Sequence, residues 1–233
     1  MIRDNIAQIF SRIEAVCRKS GRDPKEIAFV GITKYADISQ IKEAVAAGLT
    51  HIGENKVQDA KRKFSALEGF PAGVMKHMVG HLQTNKVKQA VEIFDCIQSV
   101  DSLKLAETIA EQAAKLNKTI DLLVQVNTAA EDQKFGIAPD ETSSLIEQIV
   151  PLKNIRLCGL MAIAPLTEDR AIVRKCFRDL RVLREGISEK FSQDGRVAMK
   201  YLSMGMTDDY EIALEEGSNM TRIGRAIFRD QEE

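Results

Sequence analysis

A lysine stands where a buried strand should end. The stretch Phe29-Val30-Gly31-Ile32-Thr33-Lys34-Tyr35 runs apolar and then meets an ammonium group, which needs water, a partner or a reaction to offset its desolvation. Two distant stretches carry residue types suited to an anion: Ser203-Met204-Gly205-Met206 and Arg222-Ile223-Gly224-Arg225. Each offers small residues that let backbone N–H groups approach a phosphate, and the first adds the Ser203 hydroxyl. A neutral lysine amine condenses with an aldehyde to a Schiff base, whereas a charged one holds phosphate as a point charge. Residue type leaves both roles open for Lys34, beside the commoner one of a solvated strand-end charge.

Other reactive residues are less informative. His77 and His81 are four apart, a spacing that serves zinc on a helix, but Gly80 interrupts them and the segment reads as extended. His77 therefore reads as a core residue and His81, at the strand end, as the better site candidate. Asn55, after Gly53-Glu54, suits a helix cap or a ligand contact equally well. Cys17, Cys96, Cys158 and Cys176 form no CxxC pair, so a disulfide or zinc framework is not expected.

These residues need a frame. Short apolar runs alternate along the 233 residues with amphipathic stretches, and no Pro/Gly/Ser linker divides them. An amphipathic helix from Ile6 to Cys17 comes first. Strands are expected at 27–33, 50–54, 76–80, 96–100, 119–127, 155–163, 200–204 and 219–224. Helices fill the gaps between them, including one over 140–150 with Asp140 as cap and a long one from Glu168 to Phe191, broken near Gly186. Strict βα alternation implies parallel strands with helical crossovers. Eight such units fit an α/β fold of one domain, residues 1–233: a single (β/α)8 TIM barrel with an extra N-terminal helix. An open doubly wound sheet usually has fewer strands, and its G-x-G-x-x-G fingerprint is missing.

A barrel places its site at the C-terminal ends of its strands and often binds phosphate after strands seven and eight. Closure sets strand eight beside strand one, which brings Lys34 near Ser203, Gly205, Met206 and Gly224. An amine beside a phosphate cup points to pyridoxal 5′-phosphate (PLP). A barrel enzyme acting on a phosphorylated sugar is the competing reading. The net charge of −1 and the 5% aromatic content give neither a basic footprint nor a base-stacking platform, so no nucleic-acid partner is expected. No run approaches a membrane span, and Met1-Ile2-Arg3-Asp4 does not begin a signal peptide, so a cytoplasmic protein without membrane association is expected.

The motifs GITK, GENKVQDA, HMVGHLQTNK, QSVDS, LVQVN, KFGI, GLMAIAP, LSMGMTDDYEIALEEGS and RIGRAIF occur in this order over nearly the whole chain. In this the sequence resembles the pyridoxal-phosphate homeostasis proteins, barrels related to the N-terminal domain of alanine racemase. The resemblance implies that Lys34 is the Schiff-base lysine and that Ser203 and the backbone near Gly224 hold the phosphate. It further implies that Arg222 faces the pyridine nitrogen and Asn55 lies beside the ring. Met161 and His81 fall in family motifs near the pocket. The chain departs from the family pattern at Lys56, Lys76, Met78, Arg225 and Arg229. Arg225 stands where a small or hydroxyl residue is common, replacing a side-chain phosphate contact with added positive charge.

The resemblance implies a carrier or regulator of the cofactor, with apo-enzymes as possible recipients, and a monomer is expected. A PLP-dependent racemase needs a second acid–base group on the far ring face, which its relatives draw from another domain. The chain ends at Glu233, soon after the eighth strand, so that domain is not expected. An arginine at the ring nitrogen also weakens the electron sink. A one-domain PLP-dependent amino-acid racemase is the alternative.

Overall fold

The computed structural model describes residues 1–67, 73–129, 135–192, 194 and 197–228. Arg229 and the Lys134 of KFGI lie outside the described residues. Eight parallel strands close into one barrel in chain order. They are β1 (Ala28–Ile32), β2 (His51–Glu54), β3 (Met75–Met78), β4 (Cys96–Val100), β5 (Ile120–Gln125), β6 (Ile155–Met161), β7 (Val197–Ser203) and β8 (Met220–Ile223). Ala28 pairs with Met220 and Gly31 with Ile223, which closes the ring.

The shell contains the expected crossovers. In chain order they are α2 (Ile38–Ala46), α3 (Val57–Ser65), α4 (Val87–Ile93), α5 (Leu103–Lys115), α6 (Thr142–Ile149), α7 (Arg170–Lys190) and α8 (Tyr210–Glu215). In front stands α1 (Ile2–Lys19), whose Ile2, Ile6, Ile9, Ile13 and Cys17 recur at helical spacing and are buried. This stripe covers α2, α8 and a last short helix, α9 (Arg225–Phe228). Asn5 Nδ2 donates to the Ile227 carbonyl at 3.0 Å, tying α1 to α9. Truncating one of these isoleucines to alanine should cost about 2–5 kcal/mol.

Four local expectations are corrected. The helix α7 runs unbroken through Gly186, because Phe177, Leu180 and Ile187 are buried along one face and outweigh the roughly 1 kcal/mol helix penalty of glycine. Asp140 does not cap α6; Glu141 holds that position without a side-chain hydrogen bond. The strand β7 begins at Val197, and α9 follows β8 where the sequence reading had only the chain end.

Side chains alternate across the barrel wall, as the pleat requires. Phe29 and Ile52 face the helices, while Val30, Ile32, Val79, Cys96, Leu123, Cys158, Met161 and Met220 fill the interior. The same inward parity takes in His77, Gln98, Ser203 and Arg222, all buried. The interior is thus partly polar.

Candidate functional site

A cavity of about 240 Å³ opens at the C-terminal end of the barrel, lined by Ile32, Lys34, Asn55, Val79, Ile163, Met206, Thr207, Asp208, Arg222, Gly224 and Arg225. Lys34 is not a strand residue: β1 stops at Ile32, and Lys34 lies in the following turn, exposed, with Nζ 4.6 Å from the Tyr35 ring centroid. Its backbone, in contrast, is held from below. Lys63 Nζ donates to the carbonyls of Thr33 at 2.6 Å and Lys34 at 3.2 Å, and pairs with Glu54 Oε1 at 2.8 Å. Thr33 Oγ1 also donates to Glu54 Oε1 at 2.7 Å. Lys63 and Glu54 are buried, so the turn carrying the amine rests on a desolvated ion pair.

Arg222 forms the inner end of the cavity. Nη1 donates to Ser203 Oγ at 2.7 Å, Nη2 donates to the Ala162 carbonyl at 2.8 Å, and the backbone N–H donates to the Gly205 carbonyl at 2.9 Å. Burial pushes its pKa down to about 10, partly opposed by the charge of Asp209, so it remains a cation at neutral pH. Gly205 has φ +92°, and a Cβ there would lie 2.6 Å from Ala213 Cβ and 2.8 Å from Tyr210 Cα. Only glycine meets both demands. The turn it makes is closed by Asp209 Oδ1, which accepts from the Met206 N–H at 2.6 Å. Burial raises the Asp209 pKa, a shift that this bond and Arg222 oppose.

The cavity gathers Lys34, Asn55, Met206, Arg222, Gly224 and Arg225. Asn55 does not cap α3, whose N-cap is Lys56, which leaves its side chain to the cavity it lines. Gly224 lets two backbones approach: a Cβ would stand 3.1 Å from the Ile32 carbonyl oxygen. Arg225 forms an ion pair with Asp208 at the rim.

Gly205 shapes the adjoining turn without lining the cavity, and three further candidates lie elsewhere. Ser203 is fully buried and gives its hydroxyl proton to Gln98 Oε1 at 2.7 Å while accepting from Arg222; its register partner is Met220, two residues deeper along β8 than Arg222, which sets it below the lining. Met161 is buried in the interior cluster below the cavity. His81 is exposed, stacked on Phe135 with centroids 4.0 Å apart, and its Nδ1 lies 3.9 Å from Asp101 Oδ2 in a separate depression. The sequence reading missed Thr207, the hydroxyl residue that does line the cavity. Its signal was available: Thr207 is four residues beyond Ser203, in the loop rather than the strand. His77 is the buried core residue expected, set between His51 and Gln98. Among the described residues no group of three or more His, Cys, Asp or Glu could hold a metal ion, and no helix is long and apolar enough to cross a membrane.

Comparison with known proteins finds relatives over nearly the whole chain. The family model for the alanine racemase N-terminal domain matches residues 5–232. The chain is 37% identical over 227 residues to the pyridoxal phosphate homeostasis protein of Pseudomonas aeruginosa, covering 97% of this chain and 94% of that one. It is 35% identical over 228 residues to the protein of the same name from Aquifex aeolicus, covering 98% and 97%. PipY of Synechococcus elongatus PCC7942, solved with PLP bound, superposes with a TM-score of 0.84 at 30% identity, covering 98% of this chain and all of that one. Alanine racemase of Clostridium difficile 630 shares the fold, with a TM-score of 0.75 at 14% identity, and this chain covers 58% of it.

Proposed function

The chain belongs to the pyridoxal phosphate homeostasis proteins, on the alanine racemase N-terminal domain fold, and from that premise we propose that it holds pyridoxal 5′-phosphate in the C-terminal cavity, linked to Lys34, as a carrier for other proteins. One observation carries the reading: a single cavity collects an exposed amine, a buried guanidinium, and a rim with a hydroxyl, a glycine and a cation. PLP supplies an aldehyde for a lysine amine and a ring nitrogen that accepts a hydrogen bond.

The chain's own residues divide the work. Lys34 provides the amine, and the Lys63–Glu54 pair holds its backbone. Thr207 and Arg225 supply a hydroxyl and a charge to the phosphate, and Gly224 leaves its backbone open to it. Asn55 lines the ring. Arg222, donor-only and cationic, faces the ring nitrogen and cannot give it a proton without losing its own charge.

The same inventory supports carriage over turnover. Apart from Lys34, the titratable residues in the lining are Asp208, Arg222 and Arg225, and Asp208 is paired with Arg225. Among the described lining residues, none is a free tyrosine, histidine or second lysine able to move a proton on the opposite ring face. Apo-forms of PLP enzymes are the proposed recipients.

Borohydride reduction of the loaded protein, followed by peptide mass mapping, should place the pyridoxyl group on Lys34. Lys34→Ala should abolish the visible absorption band and shift stability by less than about 0.5 kcal/mol, as for most exposed positions. Labelling mainly at another lysine would overturn the linkage, and Lys34-dependent racemisation of an amino-acid panel would overturn the carrier reading.

A further inference from the structure

A line of polar side chains crosses the barrel interior from the cofactor cavity to its opposite end. Arg222 Nη1 donates to Ser203 Oγ, and Ser203 Oγ to Gln98 Oε1, each at 2.7 Å. Gln98 Nε2 lies 3.0 Å from His77 Nδ1, and His77 Nε2 lies 2.9 Å from His51 Nδ1. His77, Gln98 and Ser203 are fully buried. His51, half-buried, opens into a cavity of about 500 Å³ at the N-terminal ends of the strands.

Donor accounting gives the line one direction. A guanidinium only donates, so Ser203 accepts from Arg222 and passes its own proton to Gln98. The Gln98 amide nitrogen faces two acceptors, His77 Nδ1 and, at 3.2 Å, Met220 Sδ. A neutral His77 must then carry its proton on Nε2 and donate to His51 Nδ1. Burial, more than the nearby His51, holds His77 neutral, with its pKa lowered to about 3. Every bond therefore points from Arg222 towards His51.

We propose that Gln98, His77 and His51 are positioning residues of the cofactor site: through Ser203 they hold Arg222 in one donor orientation, and a proton taken up by His51 at the far end of the barrel undoes that hold. The protonated ring places a hydrogen on Nδ1, against the Nε2–H of His77. Relief requires His77 to carry its proton on Nδ1 and the Gln98 amide to turn over. That turn sets the amide oxygen against Met220 Sδ and removes the acceptor from the Ser203 hydroxyl. The reversal stops at Arg222, which accepts nothing. Facing His51 are His77 from β3, Lys200 and Tyr201 from β7, and Lys25 and Glu26 from the 3-10 turn before β1. Burial and Lys200 both lower the His51 pKa, so the change falls on the acid side of the ordinary imidazole range.

The role assigned to Arg222 rests on the PLP reading, but the proton arrangement does not, and two measurements separate them. In the ligand-free protein at pH 7.5, long-range 15N–1H correlation of the imidazoles should show His77 and His51 both protonated on Nε2; His77 protonated on Nδ1 would overturn the proposal even if PLP binds. In the loaded protein, PLP affinity should fall about tenfold, the scale of one weakened charged hydrogen bond, as pH drops through the His51 titration followed by NMR. His51→Gln keeps an acceptor for His77 but takes up no proton, so it should abolish this drop and hold affinity at pH 7.5 within about threefold, under 1 kcal/mol. Gln98→Met should abolish the drop while His51 still titrates. An acid drop that persists in both variants would overturn the proposal, whereas wild-type protein that binds no PLP would overturn the proposed function and leave the proton arrangement standing.

Discussion

Replacing Lys63 by methionine separates what holds the fold from what holds the turn that carries Lys34. The lysine and Glu54 are 7% and 0% exposed at their side chains and lie 2.8 Å apart, so the substitution leaves a buried carboxylate without its cation. Breaking such a pair costs about 3–5 kcal/mol, and a protein of this size loses roughly 2–4 °C of melting temperature per kcal/mol. Urea denaturation and a thermal melt of the ligand-free protein should show this loss, of the order of 6–20 °C. The Glu54→Met/Lys63→Met double variant removes both charges and leaves Thr33 Oγ1 its second acceptor, the Gly53 carbonyl at 3.2 Å. Most of the stability should return, because an apolar pair of similar volume often equals a buried ion pair. The tether should not return: the Thr33 and Lys34 carbonyls have lost the ammonium that held them. PLP loading should therefore stay weakened by about one decade, the scale of one hydrogen bond to a charged group, after the melt has recovered. A single variant that melts within about 1 kcal/mol of wild type would show that the pair is solvated in solution, and a double variant that loads like wild type would refute the positional role of Lys63.

Further outcomes can be checked separately. His77, with a pKa of about 3 in the folded protein against roughly 6.5 unfolded, binds a proton on unfolding; its contribution is fully present above pH 6.5 and is lost as pH falls. From pH 8 to pH 5 it should account for about 2 kcal/mol of lost stability, measured by urea denaturation at both pH values, and His77→Gln should flatten the difference. Gly205→Ala should destabilise by at least about 2 kcal/mol, since φ +92° and a 2.6 Å contact with Ala213 Cβ oppose any side chain; calorimetry that shows no loss would contradict the turn geometry. Thr207→Val should weaken PLP loading by one to two decades, or about 1.5–3 kcal/mol, as read by equilibrium dialysis.

The barrel was legible in the sequence because each unit repeats one physical demand, an apolar strand followed by an amphipathic crossover. The loop residues that line the cavity were legible too, since Lys34, Asn55, Met206, Gly224 and Arg225 follow strand ends. The depth of Ser203 was harder to read: its register partner is Met220, two residues below Arg222, so it lies beneath the lining rather than in it. Counting back from Arg222, two-residue steps on β8 reach Met220, an interior residue; on β7 they link Ser203 to Tyr201, which packs against the same cluster. A hydroxyl with that parity and at that depth faces the barrel axis beneath the cavity, where Arg222 reaches it. Gln98 was illegible for a different reason. In CIQSV it reads as one polar residue within an apolar run, and nothing local says that three other strands supply it with partners. The chain of hydrogen bonds exists only after closure brings β2, β3, β4, β7 and β8 around one axis. Each member alone would be a buried polar group to be explained away; together they satisfy one another, because every donor meets an acceptor in the same direction. An apolar substitution of an inner member, Ser203, Gln98 or His77, should therefore cost more than its own bond, through the orphaned neighbours it leaves on either side.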